Sequence, residues 1–317
     1  YSLDKFLNRL SLSPEIKQKR KTDNHSKEIL FLFERLGITF RDFEFINVVG
    51  TSGKGSTTIM ISECLFASGK SVGAFFSPHI SSISERFWFN GSYVGPKSVM
   101  KVYHKFVSVV EEIIQDTECS SPTFFESIFA LFLLLAKELN CKTLVLEAGI
   151  GGAYDVTRIP FFQKLSVITK IALDHTEILG KNVTEITRDK AGIIAKNSQV
   201  IMAENHYVVE REISKIAKNK SAKFYTAPIT EIIDSKNSCT SFNLNFSDGS
   251  SMSNLSISMF GEHQVKNAAV AVGACKLIGI DDLSINKGLA KSRLPGRIEI
   301  VSRNPTVILD VAHNRNK

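Results

Sequence analysis

The chain has 317 residues, 43 % of them hydrophobic and 22 % charged, and a formal net charge of +7. That length gives one large domain or two with a core that needs no staples, and the composition is that of a soluble globular protein. Five scattered cysteines (Cys64, Cys119, Cys141, Cys239, Cys275) with no CxxC pair argue against a zinc ribbon or disulfide framework and fit a reducing cytosol.

From the N-terminus, Tyr1 to Leu10 is amphipathic and charged throughout, which does not fit a signal peptide. The densest basic patch, Lys17, Lys19, Arg20 and Lys21, falls in a segment that reads as solvated helix. A basic balance suits anionic small substrates as well as nucleic acid. Residues 1–37 read as helices, with Ile29, Leu30, Leu32, Phe33 and Leu36 at helical spacing and Gly37 as the stop. Phe45 to Val49 reads as a buried strand, followed by a helix over 56–68 that ends at Gly69, and then a short strand over Val72 to Phe76. Helices are expected over 98–115 and 124–139. The apolar run Ile128 to Ala136 is far short of the ~20 residues a membrane span needs. Further strands fall at Thr143 to Glu147, Leu165 to Thr169 and Val200 to Ala203. Strands alternating with helices imply an α/β doubly wound domain with a parallel sheet covered on both faces.

Between 221 and 260 the period changes. Phe242 to Phe246 and Leu255 to Met259 alternate apolar and polar around Asp248-Gly249, a hairpin signature. A helix over 263–277 follows. Leu294-Pro295-Gly296-Arg297 reads as a hinge, and Thr306 to Asp310 as a buried strand that opens a second domain. The expected division is 1–294 and 295–317. The chain starts at Tyr1 and stops just after that strand, so both ends read as edges of a longer protein.

The sharpest local signal is Val48-Val49-Gly50-Thr51-Ser52-Gly53-Lys54-Gly55-Ser56-Thr57. A strand enters a glycine-rich turn, then a lysine, then a hydroxyl that opens a helix. Glycines let backbone amides approach phosphate oxygens, and the helix start adds its positive end. Lys54 is placed to reach the β/γ-phosphates of a nucleotide, and Ser56 or Thr57 to hold Mg2+. Gly55 departs from the strict Walker spacing by intervening between Lys54 and Ser56.

That departure is shared with a known group. The loop, Phe76-Ser77-Pro78-His79 with Glu85-Arg86, Thr123-Phe124-Phe125-Glu126 and Leu146-Glu147-Ala148-Gly149-Ile150-Gly151-Gly152 appear in order. They are followed by Leu173-Asp174-His175-Thr176-Glu177, Asp189-Lys190-Ala191-Gly192, Gly261-x-His263-Gln264-x-x-Asn267, Pro295-Gly296-Arg297 and Asp310-x-Ala312-His313-Asn314. Over nearly the whole chain the sequence resembles the folylpolyglutamate synthase/dihydrofolate synthase family of Mur-type ligases. The resemblance implies a P-loop central domain with a small antiparallel element, followed by the start of a Rossmann-like C-terminal domain. It implies an ATP-dependent ligase that adds L-glutamate to dihydropteroate or to the tail of a reduced folate through an acyl phosphate.

By resemblance, Glu147, His175 and Ser77, with Ser56, hold Mg2+, as one ion or two, and K+ is a further candidate cation. Lys190 is implied to be carbamylated and to serve as an anionic oxygen ligand, although a lysine in its sequence setting ordinarily reads as a solvated helix residue. Asn267, Arg297, Asp310 and His313 are the implied adenine and ribose contacts, and Phe125 and Asp155 the implied pterin contacts. A cytoplasmic monomer is implied, with neither nucleic acid nor membrane as partner. Four positions depart from the family pattern: Ser52 and Ser84 stand for asparagines, Ala153 for an arginine and Arg158 for an asparagine. The last two leave the acceptor open. A ligase acting on a cell-wall precursor, a nucleotide-binding module without ligase activity and a nucleic-acid-associated NTPase are the rival readings.

Overall fold

Period-two alternation divides the central strands between two cores, which is why they read as near-continuous apolar runs. The computed structural model of the chain describes residues 23–115, 122–158, 163–236 and 239–312. The N-terminal basic patch, Cys119 and His313 lie outside them. In chain order the elements are α1 (Asp23–Arg35), β1 (Glu44–Val49), α2 (Lys54–Ala67), β2 (Val72–Phe75), β3 (Phe87–Phe89) and β4 (Ser92–Tyr93). Next come α3 (Pro96–Gln115), α4 (Phe124–Glu138), β5 (Thr143–Glu147), β6 (Gln163–Ile168), α5 (Thr176–Leu179), α6 (Val183–Ala191), β7 (Gln199–Met202), α7 (Tyr207–Asn219) and β8 (Lys223–Thr226). The last are β9 (Ile229–Lys236), β10 (Cys239–Asn245), β11 (Ser251–Ile257), α8 (Glu262–Leu277), α9 (Asp282–Lys291), β12 (Glu299–Arg303) and β13 (Thr306–Leu309).

An eight-stranded sheet runs β4-β3-β2-β5-β1-β6-β7-β8. It is parallel from β2 through β8, and only the β2–β3 and β3–β4 pairs are antiparallel. One face places Phe45, Phe75, Leu144 and Leu146 against α1, α3 and α4. The other places Ile46, Val48, Val72, Ala74 and Val145 against α2, α8, α9 and the apolar side of β10 and β11. A third cluster gathers Val49, Ile168, Val200 and Met202 with α6 and α7. The aromatic residues concentrate on the first face, where Phe132 lies within 5.2–6.4 Å of the Phe75, Phe87, Phe89 and Phe129 rings. Phe87-Trp88-Phe89, which show no alternation, form the buried strand β3.

The expected hairpin exists, with Phe246 N–H donating to Ser250 O at 2.9 Å and Gly249 at φ 85°. It is part of a three-stranded antiparallel sheet, because β9 adds to its β10 edge. One expectation is overturned. Thr306 to Asp310 is not buried: every residue of β13 is exposed, and it pairs with β12 as a two-stranded ribbon. Its apolar sequence predicts burial, but a ribbon of two strands has no second layer of its own to cover a face.

Candidate functional site

The sheet order places the ends of β1, β5 and β6 side by side, and the loops that leave them converge at the C-terminal edge, where open α/β sheets build their sites. The loop after β1 is held by the loop after β6. Lys170 O accepts the Thr51 N–H at 2.8 Å, and Thr51 Oγ1 donates to Ala172 O at 3.0 Å. Thr169 Oγ1 donates to Ser52 O at 2.7 Å. Gly50 is required here, since an added Cβ would overlap Thr169 Oγ1. Thr169 carries no motif, and sequence reasoning missed its part in fixing the phosphate loop.

Helix α2 begins at Lys54, two residues earlier than the sequence suggests, and Gly53 precedes it at φ 85° with no side-chain cap. The first amides of a helix have no intrahelical partners, so Gly53 through Ser56 present a ring of N–H donors in the geometry that binds phosphate. Asn267 on α8 lies directly against Gly53, and its Nδ2 donates to Gln264 Oε1 at 3.1 Å. Gly53→Ala is expected to weaken nucleotide binding by about tenfold or more. A left-handed alanine costs roughly 1 kcal/mol before the overlap of its Cβ with Asn267 Oδ1 is counted, and about 1.4 kcal/mol is a factor of ten. Calorimetric titration with ADP checks this, and unchanged affinity would show that the loop accepts an L side chain.

Glu147 ends β5 beside this loop. Its Oε2 accepts the Ser77 N–H at 3.0 Å, and a Cβ on Gly55 would stand 3.2 Å from the same oxygen. Burial pushes the Glu147 carboxyl up, against the lowering effect of Lys54, the Ser77 N–H, Arg297 and Arg86. Arg86 is itself buried, donates from Nε to His79 Nδ1 at 2.8 Å, and is lowered to about 10 by burial against the charges of Glu147 and Glu85. The carboxylate of Glu85 fastens the same loop by accepting the N–H groups of Ile80, Ser81 and Ser82 at 2.8–3.0 Å.

Lys190, in the last turn of α6, is not a solvated residue: it is 2 % exposed, and its Nζ donates to Gly50 O at 2.9 Å. The fold buries it because α6 packs its Ile186 and Ala191 into the cluster around Val49, the residue before Gly50. Burial, followed by the nearby charge of Lys54, lowers the Lys190 ammonium to about 7. Asp189, Asp174 and Asp155 oppose that shift. Lys54 folds back on its own loop, with Nζ 3.1 Å from Gly50 O and 3.4 Å from Thr51 O.

The remaining predicted residues divide into three groups. His175 is the left-handed residue that starts α5, with φ 48°, and its Nε2 lies 3.7 Å from Asp174. Phe125 sits over the loop after β5, where a Cβ on Gly149 would be 2.6 Å from its ring, and it also packs 5.5 Å from Phe75. Asp155 is buried and engaged within its own loop, accepting from Gly149 N–H, Ile150 N–H, Thr157 N–H and Thr157 Oγ1 at 2.6–3.1 Å. Arg297 and Asp310 both lie at the hinge: Asp310 accepts the N–H groups of Ile298 and Ala312, Val311 N–H donates to Gly296 O, and the field of both residues reaches His263.

Among the described residues no three His, Cys, Asp or Glu side chains form a ready cation cage. The oxygen donors at the loop nevertheless suit a hard divalent ion. Thr57 Oγ1 is buried without a hydrogen-bond partner among the described residues, Ser56 is buried one residue before it, and the carboxylate oxygen of Glu147 lies against Gly55. A cavity of about 700 Å³ lies elsewhere, at the opposite edge of the strands between Glu44, Gln163, Gln199 and Gly279. The chemistry-bearing side chains are at the loops, and the site is placed there on their convergence.

Comparison with known proteins agrees with this geometry. Residues 48–275 match the Mur ligase middle domain. The dihydrofolate synthase/folylpolyglutamate synthase of Bacillus subtilis (strain 168) is 32 % identical over 300 residues, covering 89 % of this chain and 67 % of that protein. The Escherichia coli (strain K12) protein of the same name is also 32 % identical over 300 residues, covering 92 % and 67 %. The chain thus spans about two thirds of the length of these relatives. Among solved structures, a folylpolyglutamate synthase complex with AMPPCP and folate superposes with a TM-score of 0.88 at 26 % identity, covering 99 % of this chain and 76 % of that one. An E. coli structure in complex with DHPP and ADP gives a TM-score of 0.77 at 30 % identity, covering 90 % and 66 %. The match over residues 48–275 and the relatives that are 32 % identical and covered to two thirds show that the chain belongs to the Mur ligases, in the folylpolyglutamate synthase/dihydrofolate synthase family.

Proposed function

We propose that the full-length protein joins L-glutamate to a folate-type carboxylic acid at the expense of ATP, through an acyl phosphate. The observation that carries this reading is the phosphate loop, with Lys54 and Lys190 both on the Gly50 carbonyl and the buried Glu147 alongside. The relatives named as dihydrofolate and folylpolyglutamate synthases support it, as do related structures that hold AMPPCP with folate and DHPP with ADP.

The amides of Gly53 to Ser56 and the Lys54 ammonium hold the phosphates and offset charge that develops on the transferring group. The carboxylate of the acceptor attacks the γ-phosphorus, ADP leaves, and the amine of glutamate then displaces phosphate from the acyl carbon. Glu147, Ser56 or Thr57, Ser77, His175 and the carbamate of Lys190 form the proposed ligand set for Mg2+, which supplies Lewis-acid polarisation of the phosphoryl oxygens. Lys190 supplies its oxygens by adding its neutral amine to CO2, forming a carbamate and releasing one proton. Asn267 packs against the loop, Arg297 and Asp310 lie on the hinge side, and with His313 they are the proposed adenine and ribose contacts. Phe125 and the loop that Asp155 organises face the pterin. The same reading has K+ as a further candidate cation and a cytoplasmic monomer as the working form.

The test is ADP release by the full-length protein with Mg-ATP and L-glutamate, with dihydropteroate and tetrahydrofolate supplied separately. Dependence on dihydropteroate marks the synthase step, and dependence on tetrahydrofolate marks tail extension. ATP binding without release in either case would reject folate-type acceptors and direct attention to Ala153 and Arg158.

A further inference from the structure

Lys220 belongs to none of the motifs, yet its ammonium gathers the end of the helix that carries Lys190. Its Nζ donates to Ile194 O at 2.5 Å, Gly192 O at 3.3 Å and Ala191 O at 3.5 Å. They are the carbonyl of the last residue of α6, which also accepts the Ile194 N–H at 3.1 Å, and two carbonyls of the turn that follows, at the helix end where a cation is favoured. Lys220 is itself fixed at both ends of its backbone. Its N–H donates to Ile216 O and Ala217 O at 3.1 Å, and its carbonyl accepts the Asn197 N–H at 2.9 Å.

The same turn is also held by the loop after β5. Gly152 N–H donates to Asp189 Oδ1 at 3.0 Å, and a Cβ on Gly152 would overlap the Lys190 carbonyl. Gly192 is pressed against the backbone of Ala153, whose carbonyl accepts from Arg158 Nη1 at 2.7 Å. The turn 189–194 therefore packs against a loop whose Ala153 carbonyl Arg158 holds, while Lys220 gathers carbonyls of the turn itself.

We propose that Lys220 is a positioning residue for Lys190, fixing the final turn of α6 so that the Lys190 amine is delivered to the Gly50 carbonyl. This rests on the assignment of Lys190 to the ligase site. Lys190 lies in the last turn, so fraying there displaces its amine directly, and a misplacement of about 1 Å can cost roughly 10²-fold in rate.

The experiment uses full-length protein carrying Lys220→Met, which keeps the apolar stem and removes the donors, and Lys220→Arg, which restores them. Three quantities are read: kcat with KM for ATP, the melting temperature, and acetylation of Lys190 by acetic anhydride at one pH in bicarbonate-free buffer. Acetylation is measured by mass spectrometry relative to the exposed Lys101. In Lys220→Met, kcat should fall about tenfold or more with KM for ATP nearly unchanged, Lys190 acetylation should rise several-fold, and Lys220→Arg should restore both. Wild-type kcat and wild-type Lys190 reactivity in Lys220→Met would overturn the proposal. A lowered melting temperature with Lys190 reactivity unchanged would overturn it too, leaving Lys220 as a stabiliser only. Should Lys220→Met not fold, Lys220→Gln, which keeps one donor group, gives the same readouts. If the wild-type protein shows no ligase turnover, the functional reading fails, while the acetylation comparison still decides the role of Lys220.

Discussion

Lys54→Ala should reduce folate-dependent ADP release by about 10²–10³-fold, the loss that follows removal of one preorganised charge-stabilising donor. The residue starts the helix, and its side chain donates to two carbonyls of its own loop, at 3.1 Å and 3.4 Å. Its loss therefore leaves the fold intact while stripping the phosphates of their nearest cation. Two further effects act in the same direction. Lys54 is the largest influence opposing the burial that pushes the Glu147 carboxyl up, so without it Glu147 is protonated to a higher pH. Lys54 is also the second cause, after burial, of the lowered Lys190 ammonium, so without it Lys190 stays protonated longer. Stability gives an independent check. A carboxyl raised in the folded state holds a proton that the unfolded chain releases, so stability falls as pH rises from about 4.5 through the folded value. In Lys54→Ala the folded value is higher still, and the Glu147 contribution to that fall extends to higher pH. Melting temperatures of both proteins across pH 4–8, together with an ADP-release assay, test the argument. Near-normal turnover in the variant would remove Lys54 from phosphate handling.

The phosphate loop was legible because its signal is local: strand, glycines, lysine and hydroxyl follow one another between Val48 and Thr57, and the helix confirms the order. Lys190 was legible as chemistry only through its family resemblance. Its neighbours in sequence read as a solvated helix, and its burial arises from α6 packing beside Val49, a tertiary contact that helix periodicity does not report. Thr169 and Lys220 left no trace in the sequence for a related reason. Each acts on main-chain carbonyls, at Ser52 and at residues 191, 192 and 194, and any donor brought there by the fold would serve. The β13 error runs the other way. Val307, Ile308 and Leu309 carry an apolar pattern that predicts a covered strand, but they stand 41–55 % exposed on a two-stranded ribbon. An apolar run shows that a face seeks a partner, not which layer provides one.

Lys190→Ala should abolish turnover and regain part of it when a short carboxylic acid such as acetate is added, because under the proposed carbamate the missing function is an anionic oxygen and not a positive charge. Carbamate formation consumes the neutral amine. With the ammonium lowered to about 7 by burial and by Lys54, the neutral form is roughly half populated at that pH and falls about tenfold with each unit below it. At fixed dissolved CO2, wild-type turnover should therefore rise with pH through about 7. The acetate-rescued variant should lack that limb, since its oxygen donor no longer depends on the amine. Linkage predicts the stability signature as well. An amine at about 7 in the folded chain and near 10.5 in the unfolded one means that the unfolded state binds the extra proton across that interval. Stability attributable to Lys190 then rises with pH from about 7 towards 10.5 and is lowest below it. The wild type should gain in melting temperature on Lys190→Ala as pH increases over that range, with both proteins measured in bicarbonate-free buffer. A constant difference would mean that Lys190 titrates in the folded protein as it does in the unfolded chain. Such a lysine would be almost fully protonated at neutral pH, and full activity of Lys190→Ala without additive would then complete the case against the carbamate.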